Sequence, residues 1–140
     1  MTPTTLIDSY LECLRTKDLG GIATLFAPNA IVCSPLYGEQ AASGFFESLF
    51  AVTEASEITL HEVFESVGRP ESVAARFHYR WTLGDGSVSD LDVVDLFELS
   101  RPVGGWWRRG PVEIVKLTII YDTHEARPRF EEVRERGAMA

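Results

Sequence analysis

The segment SDLDVVDLFEL, residues 89–99, places Leu91, Val93, Phe97 and Leu99 on one parity, and the fifth member of that parity is Asp95. In a strand one parity is one face. A carboxylate therefore stands in the middle of an apolar side, where an unpaired charge is expensive. Kept neutral by its surroundings, such a group is a carboxylic acid that donates a hydrogen bond or exchanges a proton with a substrate. Kept ionised, it needs a cation. The segment before it, residues 72–83, offers Arg76, His78 and Arg80. Between the two, Asp85-Gly86 reads as a two-residue hairpin turn, which pairs Gly84 with Ser87. That register sets Asp95 opposite Arg76, Val93 opposite His78 and Leu91 opposite Arg80. A slip of one residue would exchange the faces.

With this register one face of the hairpin holds Arg76, His78, Arg80 and Asp95 amid Leu91, Val93 and Phe97. A solid core does not accommodate two arginines and a histidine, whereas a ligand cavity with aliphatic walls and a few placed polar groups does. His78 is then a candidate general base, its intrinsic pKa being nearest to working pH. For Asp95 the alternative is a buried ion pair with Arg76 that fixes the strand register. For His78 it is an ordinary structural histidine. The reverse face carries Phe77, Tyr79 and Trp81 and needs cover of its own, most simply a second subunit. Leu117, Ile119 and Tyr121 share a parity in the last strand-like segment and are expected on the pocket wall. Ser34 and Tyr37 are candidates for its mouth.

The elements that must carry these residues follow from periodicity. Residues 4–16 align Leu6, Ile7, Tyr10, Leu11 and Leu14 on one helical stripe. Asp18 offers an N-cap for a short second helix that Pro28 ends. AIVCSP is a brief strand, LYGEQAASG a loop, and residues 43–55 return to helical spacing. From there the chain is strand-like over 57–67, 72–83, 87–99 and 112–122. The loop with Trp106-Trp107 and Arg108-Arg109 is a candidate lid or a pinned hairpin. The tail RPRFEEVRERG reads as a charged, solvent-facing helix or a frayed end. Helices followed by an antiparallel sheet give an α+β domain. One domain is expected, with its core over about residues 4–122 and a tail over 123–140.

With a net charge of −8, nucleic acid and anionic membranes are poor partners. No apolar run approaches a membrane span, and the N-terminal residues lack the basic and apolar regions of a secretory signal. The two cysteines, Cys13 and Cys33, make no disulfide framework or metal spacing, which fits a reduced, cytoplasmic protein. No phosphate-binding glycine loop, metal cluster or nucleophile elbow is present, so no cofactor and no metal are expected.

The opening helix with YLECLRTKDLGGIATLFAPNAIVCSPLYG, the hairpin strands, and VVDLFEL followed by IVKLTIIYD together resemble the nuclear transport factor 2-like superfamily, in its SnoaL-like and ketosteroid isomerase-like branches. The resemblance implies a cone-shaped curved antiparallel sheet wrapped by N-terminal helices. In ketosteroid isomerases a helix-one tyrosine and a strand aspartic acid hydrogen-bond a dienolate oxygen, and Tyr10 and Asp95 fall on those positions. The isomerase's proton-shuttling aspartate precedes a proline. Here Ser34 stands there, before Pro35, which argues against steroid isomerisation. Limonene-type epoxide hydrolases set an arginine between two aspartates. Arg76 matches the arginine, but His78 and Ile119 replace the aspartates, so that trio is broken too. The set Tyr10, Arg76, His78 and Asp95 resembles that of SnoaL-like cyclases. The implied function is cofactor-independent acid–base catalysis (isomerase, cyclase or dehydratase type) on a small apolar carbonyl or polyketide-like molecule. Tyr10 and Asp95 would hold the enolate oxygen, His78 would move the proton, and Arg76 would orient the substrate. The alternative, favoured by Ser34, is a dimeric small-molecule-binding protein without catalysis.

Overall fold

A computed structural model describes residues 2–100 and 112–139. Helix α1 (Pro3–Thr16) starts with proline at its first position, and the Thr2 hydroxyl accepts from the Thr5 amide. It buries the stripe Leu6, Ile7, Tyr10, Leu11 and Leu14. Lys17 ends it in the left-handed conformation, and Asp18 then caps α2 (Leu19–Leu25) by accepting from the Gly21 amide. A Cβ at Gly21 would come within 2.6 Å of both the Asp18 carboxylate and Cys13 Sγ, so this tight corner requires glycine.

The remaining elements are β1 (Phe26–Ser34), β2 (Gly38–Ala41), α3 (Ala42–Val52), β3 (Thr53–Glu65), β4 (Ser72–Leu83), β5 (Val88–Leu99), β6 (Ile114–Ile120) and α4 (Ala126–Met139). They form one six-stranded sheet in the order β2-β1-β6-β5-β4-β3. Every pair is antiparallel except β1 with β6, which is parallel. Three differences from the sequence reading concern β1, β2 and α4. Strand β1 begins at Phe26 and passes through Pro28, tolerated because the pairing with β6 is irregular between Phe26 and Ile31. GEQA forms a short edge strand rather than a loop; with no apolar alternation it carries no strand signal. The tail is helical but not simply solvated, since Ala126 and Phe130 are buried.

Helices α1, α2 and α3 cover the inner face of the curved, unclosed sheet. Arg15 and Lys17 tie α1 to β3 by donating to the carbonyls of Ile58 and Thr53 at 3.1 and 3.0 Å. Beneath them lies an aromatic core in which Tyr10 meets Phe26, Phe46 and Phe97 edge to face at 5.4–5.9 Å between ring centres.

The β4–β5 register corrects the expected one. The loop has three residues, Gly84-Asp85-Gly86: the Gly86 amide donates to Leu83 O, the Leu83 amide donates to Ser87 O, and Gly86 takes φ +86°. This is a type I turn closed by a left-handed glycine, not a two-residue turn. Asp85 braces it by accepting from the Ser87 amide and hydroxyl. Leu83 now faces Ser87, so Asp95 faces Ala75, Phe77 faces Val93, Tyr79 faces Leu91 and Trp81 faces Ser89. The parity of β5 is as read; the parity of β4 is reversed.

Candidate functional site

Arg76, His78 and Arg80 therefore stand on the outer face of the sheet, away from Asp95. Arg76 makes a bidentate pair with Asp92 at 2.8 and 3.0 Å, His78 Nε2 lies 3.1 Å from Asp90, and Arg80 reaches Asp90 and Glu57 at 3.4 Å. All are substantially exposed, so these cross-strand pairs reinforce register more than they add stability. Neither the expected general base at His78, nor the expected substrate contacts of Arg76 and Arg80, nor an Arg76–Asp95 strut survives. The reversed parity also overturns Phe77, Tyr79 and Trp81 as an outer, subunit-covered face: all three are buried on the inner side. Charge carried a signal for the true register. Only the observed one sets Arg76, His78 and Arg80 on the same face as Asp90 and Asp92 while returning the three aromatics to the apolar side.

That side encloses a cavity lined by Tyr10 and Leu14 of α1, Phe45 and Leu49 of α3, Ser34 and Tyr37 around the end of β1, the inner faces of β4 and β5 including Asp95, and Ile119 and Tyr121 at the end of β6. About 50 Å³ of it is open to the centre of a water molecule, room for a few waters, so a ring-bearing ligand enters by displacing side chains of the wall. Of the residues expected at the site, Asp95, Tyr10, Ser34, Val93, Ile119 and Tyr121 line it together. Leu117 is fully buried but lies in the core outside the lining. The Trp106-Trp107 segment falls outside the described residues. Sequence reasoning missed Phe45, Leu49 and the aromatic wall of Phe77, Tyr79 and Trp81; Leu49 alone was read, with Phe46, Phe50 and Thr53, as helical spacing without a stated destination.

The chain has four tyrosines, Tyr10, Tyr37, Tyr79 and Tyr121, and all four line this cavity. Asp95 is 1% exposed, and its Oδ1 has no hydrogen-bond partner. Its strand neighbours are Ala75 and Ile119, neither of which offers a side-chain donor. Burial alone pushes its carboxyl well above the usual carboxylate range, which favours the neutral acid. Tyr10 is also held protonated, first by burial and then by the nearby Asp95. Burial likewise raises Tyr79 and Tyr121. Two polar groups of the wall are used internally: the Tyr79 hydroxyl bonds Ser56 Oγ at 2.7 Å, and Trp81 Nε1 donates to Thr53 Oγ1 at 2.8 Å. Ser34 Oγ accepts from the amides of Leu36 and Tyr37, so it braces the turn after β1. No lysine, arginine or histidine lines the cavity among the described residues, and they form no metal-ligating cluster. None of their helices is long and apolar enough to cross a membrane. The result is an apolar chamber with neutral hydrogen-bond donors and one carboxylic acid.

A model of the SnoaL-like domain matches residues 7–109. No functionally curated protein matches the sequence. Among solved structures, a protein of ketosteroid isomerase-like fold from Catenulispora acidiphila, in complex with trimethylamine, superposes with a TM-score of 0.67 at 16% identity over 87% of this chain and 88% of that one. An NTF2-like protein from Burkholderia pseudomallei gives 0.69 at 18% identity over 88% and 92%. TerC, co-crystallised with polyporic acid, gives 0.66 at 18% identity over 94% and 97%. At these identities the likeness is one of fold, the NTF2-like α+β architecture.

Proposed function

The chain belongs to the SnoaL-like family, and from that premise we propose that it is an acid–base enzyme, needing no cofactor, for a small, neutral, largely apolar molecule bearing a carbonyl. The observation that carries this reading is the buried carboxyl of Asp95, whose Oδ1 has no hydrogen-bond partner among the described residues, in a largely apolar wall. A group that costly to bury points to use. Held neutral, Asp95 donates its proton to the carbonyl oxygen, with the Tyr10 hydroxyl as second donor. The other carboxyl oxygen takes a proton from the adjacent carbon, so the substrate becomes an enol and Asp95 ends protonated again. Isomerisation, cyclisation and dehydration all branch from that enol. Among the described residues no basic side chain lines the cavity to attract an anionic substrate.

The proposal is tested with 1-tetralone in heavy water, following exchange of the protons next to the carbonyl by NMR. Wild-type protein is expected to accelerate exchange, and Asp95→Asn to lower the acceleration by about 10²-fold or more. His78→Ala and Arg76→Ala, on the outer face, should leave it unchanged. The second reading is a small-molecule-binding protein without turnover. It is favoured by Ser34 serving the backbone where the isomerases have their base. Binding of tetralone with no exchange would establish that reading and sink the first.

The proposal includes a second copy of the chain on the outer face of the sheet. Leu96 and Ile120 are exposed there, beside Val94 and Phe64. The adjoining ladder of Arg76, Arg80, Asp90 and Asp92 carries both signs, as a two-fold contact with itself requires. Sedimentation should give a dimer for wild type and a monomer for Leu96→Glu with Ile120→Glu. A monomeric wild type removes this part.

A further inference from the structure

Burial leaves two polar atoms of the cavity wall without a hydrogen-bond partner, and only one of them has been used. They are Asp95 Oδ1 and the Tyr37 hydroxyl. Tyr79 and Trp81, more buried than Tyr37, have protein partners for their polar atoms. The contrast matters because an unmade bond at a buried donor costs as much as the bond would give.

The two orphans stand on different elements, Asp95 on β5 and Tyr37 on the turn after β1. Asp95 and Tyr10, each 1% exposed, form the inner end, where Tyr10 is wedged among Phe26, Phe46 and Phe97. Tyr37 sits on the turn after β1, packed against Phe45 of α3 and Phe130 of α4 at 5.2 and 4.8 Å between ring centres, and shares no ring contact with Tyr10. Tyr79 and Tyr121 line the same cavity. Tyr37 itself is pushed up to about 12 by burial, against the opposing charge of Arg134 on α4, so it is a neutral hydroxyl. Much of the remaining wall is aromatic and aliphatic, formed by Phe45, Phe77, Tyr79, Trp81, Leu91 and Val93.

We infer that Tyr37 is a second recognition point, and that the ligand is a flat, ring-bearing molecule with a second oxygen acceptor, remote from the carbonyl at Asp95, to which the Tyr37 hydroxyl donates. The inference rests on the ketone-binding reading above and narrows its substrate class. A molecule with one oxygen satisfies the inner end and leaves Tyr37 orphaned. One with two, separated by a rigid ring system, satisfies both and meets aromatic faces along its length.

Matched ketones differing by one distant acceptor test this. Acetophenone, 1-tetralone and 2-acetylnaphthalene are titrated by NMR beside 4-methoxyacetophenone, 6-methoxy-1-tetralone and 6-methoxy-2-acetylnaphthalene, a series that varies the spacing of the oxygens. In at least one pair the methoxy compound should bind wild-type protein about five- to tenfold more tightly. The ratio within that pair should fall to one in Tyr37→Phe, whose melting temperature should equal or exceed that of wild type because the lost hydroxyl has no partner. If the parent ketones bind and exchange protons through Asp95 but no pair shows the gain, or the gain persists in Tyr37→Phe, the second point is overturned and the proposed function stands. If no ketone binds and Asp95→Asn changes nothing, both fall.

Discussion

Asp95→Asn is expected to be more stable than the wild-type protein at neutral pH, and the difference should vanish near pH 4. In the unfolded chain an aspartate ionises at about 3.9. In the folded protein burial pushes the Asp95 carboxyl well above that. Between the two values the unfolded chain has released a proton that the folded chain still holds, so rising pH favours unfolding. The stability associated with this group is fully present below about pH 3.9 and declines by about 1.4 kcal/mol per pH unit above it, until Asp95 itself ionises in the folded state. Asparagine fills the same space without a proton to lose, and Oδ1 has no bond for the substitution to break. The gap should therefore widen from pH 4 upward until Asp95 ionises in the folded protein. In a domain of this size each kcal/mol moves the melting temperature by about 2–8 °C. Calorimetry of both proteins across that range measures it. An asparagine variant less stable than wild type at every pH would mean that the folded protein holds Asp95 ionised. Loss of proton exchange coupled to a gain in stability is the pattern of a residue kept for function at a cost to the fold.

Much of this site was legible before any coordinates. The parity of SDLDVVDLFEL isolates Asp95, and the stripe on α1 isolates Tyr10; both depend only on local periodicity, which the structure preserves. The partners of Asp95 were harder to read, because they depend on register across a loop. Asp85-Gly86 satisfies the chemistry of two turns: a two-residue turn centred on it, or a three-residue turn in which Gly84 joins and Gly86 alone takes the left-handed conformation. The difference is one residue, and one residue reverses every side chain of β4. This exchanged two arginines and a histidine for three aromatics in the cavity wall, and an ionic site for a neutral one. Charge pairing could have arbitrated, since Arg76 with Asp92 and Arg80 with Asp90 are satisfied only in the observed register. The edge strand β2 offered no comparable signal: a short strand paired on one side is specified by its neighbour rather than by its own four residues.

Phe130→Ala is the second substitution expected to have a large effect, and it tests what the charged tail contributes. Helix α4 is polar along most of its length, as its sequence implies, yet Phe130 is 1% exposed. Its ring meets Tyr37 at 4.8 Å and Trp81 at 6.2 Å, both of which line the cavity. Around this anchor Arg127 donates to Pro35 O at 2.6 Å, and Arg129 donates to the Val88 carbonyl and Ser89 Oγ. The helix thus backs the cavity wall chiefly through Phe130, with Ala126 buried and Val133 half-buried beside it, and through a few hydrogen bonds to the ends of β1 and β5. Truncating a buried phenylalanine to alanine costs about 3–5 kcal/mol. Because few contacts hold α4 to the rest of the fold, most of that loss should appear as local undocking rather than global unfolding. Amide hydrogen exchange over Ala126–Met139 should accelerate by about 10²-fold or more, with β4 and β5 retaining their protection. Tetralone should dissociate faster, because Tyr37 loses the ring that fixes it, whereas the proton-exchange chemistry at Asp95 continues at the inner end. Equal acceleration throughout the sheet would instead make α4 part of the single cooperative core, and its removal would then unfold the chamber rather than open it.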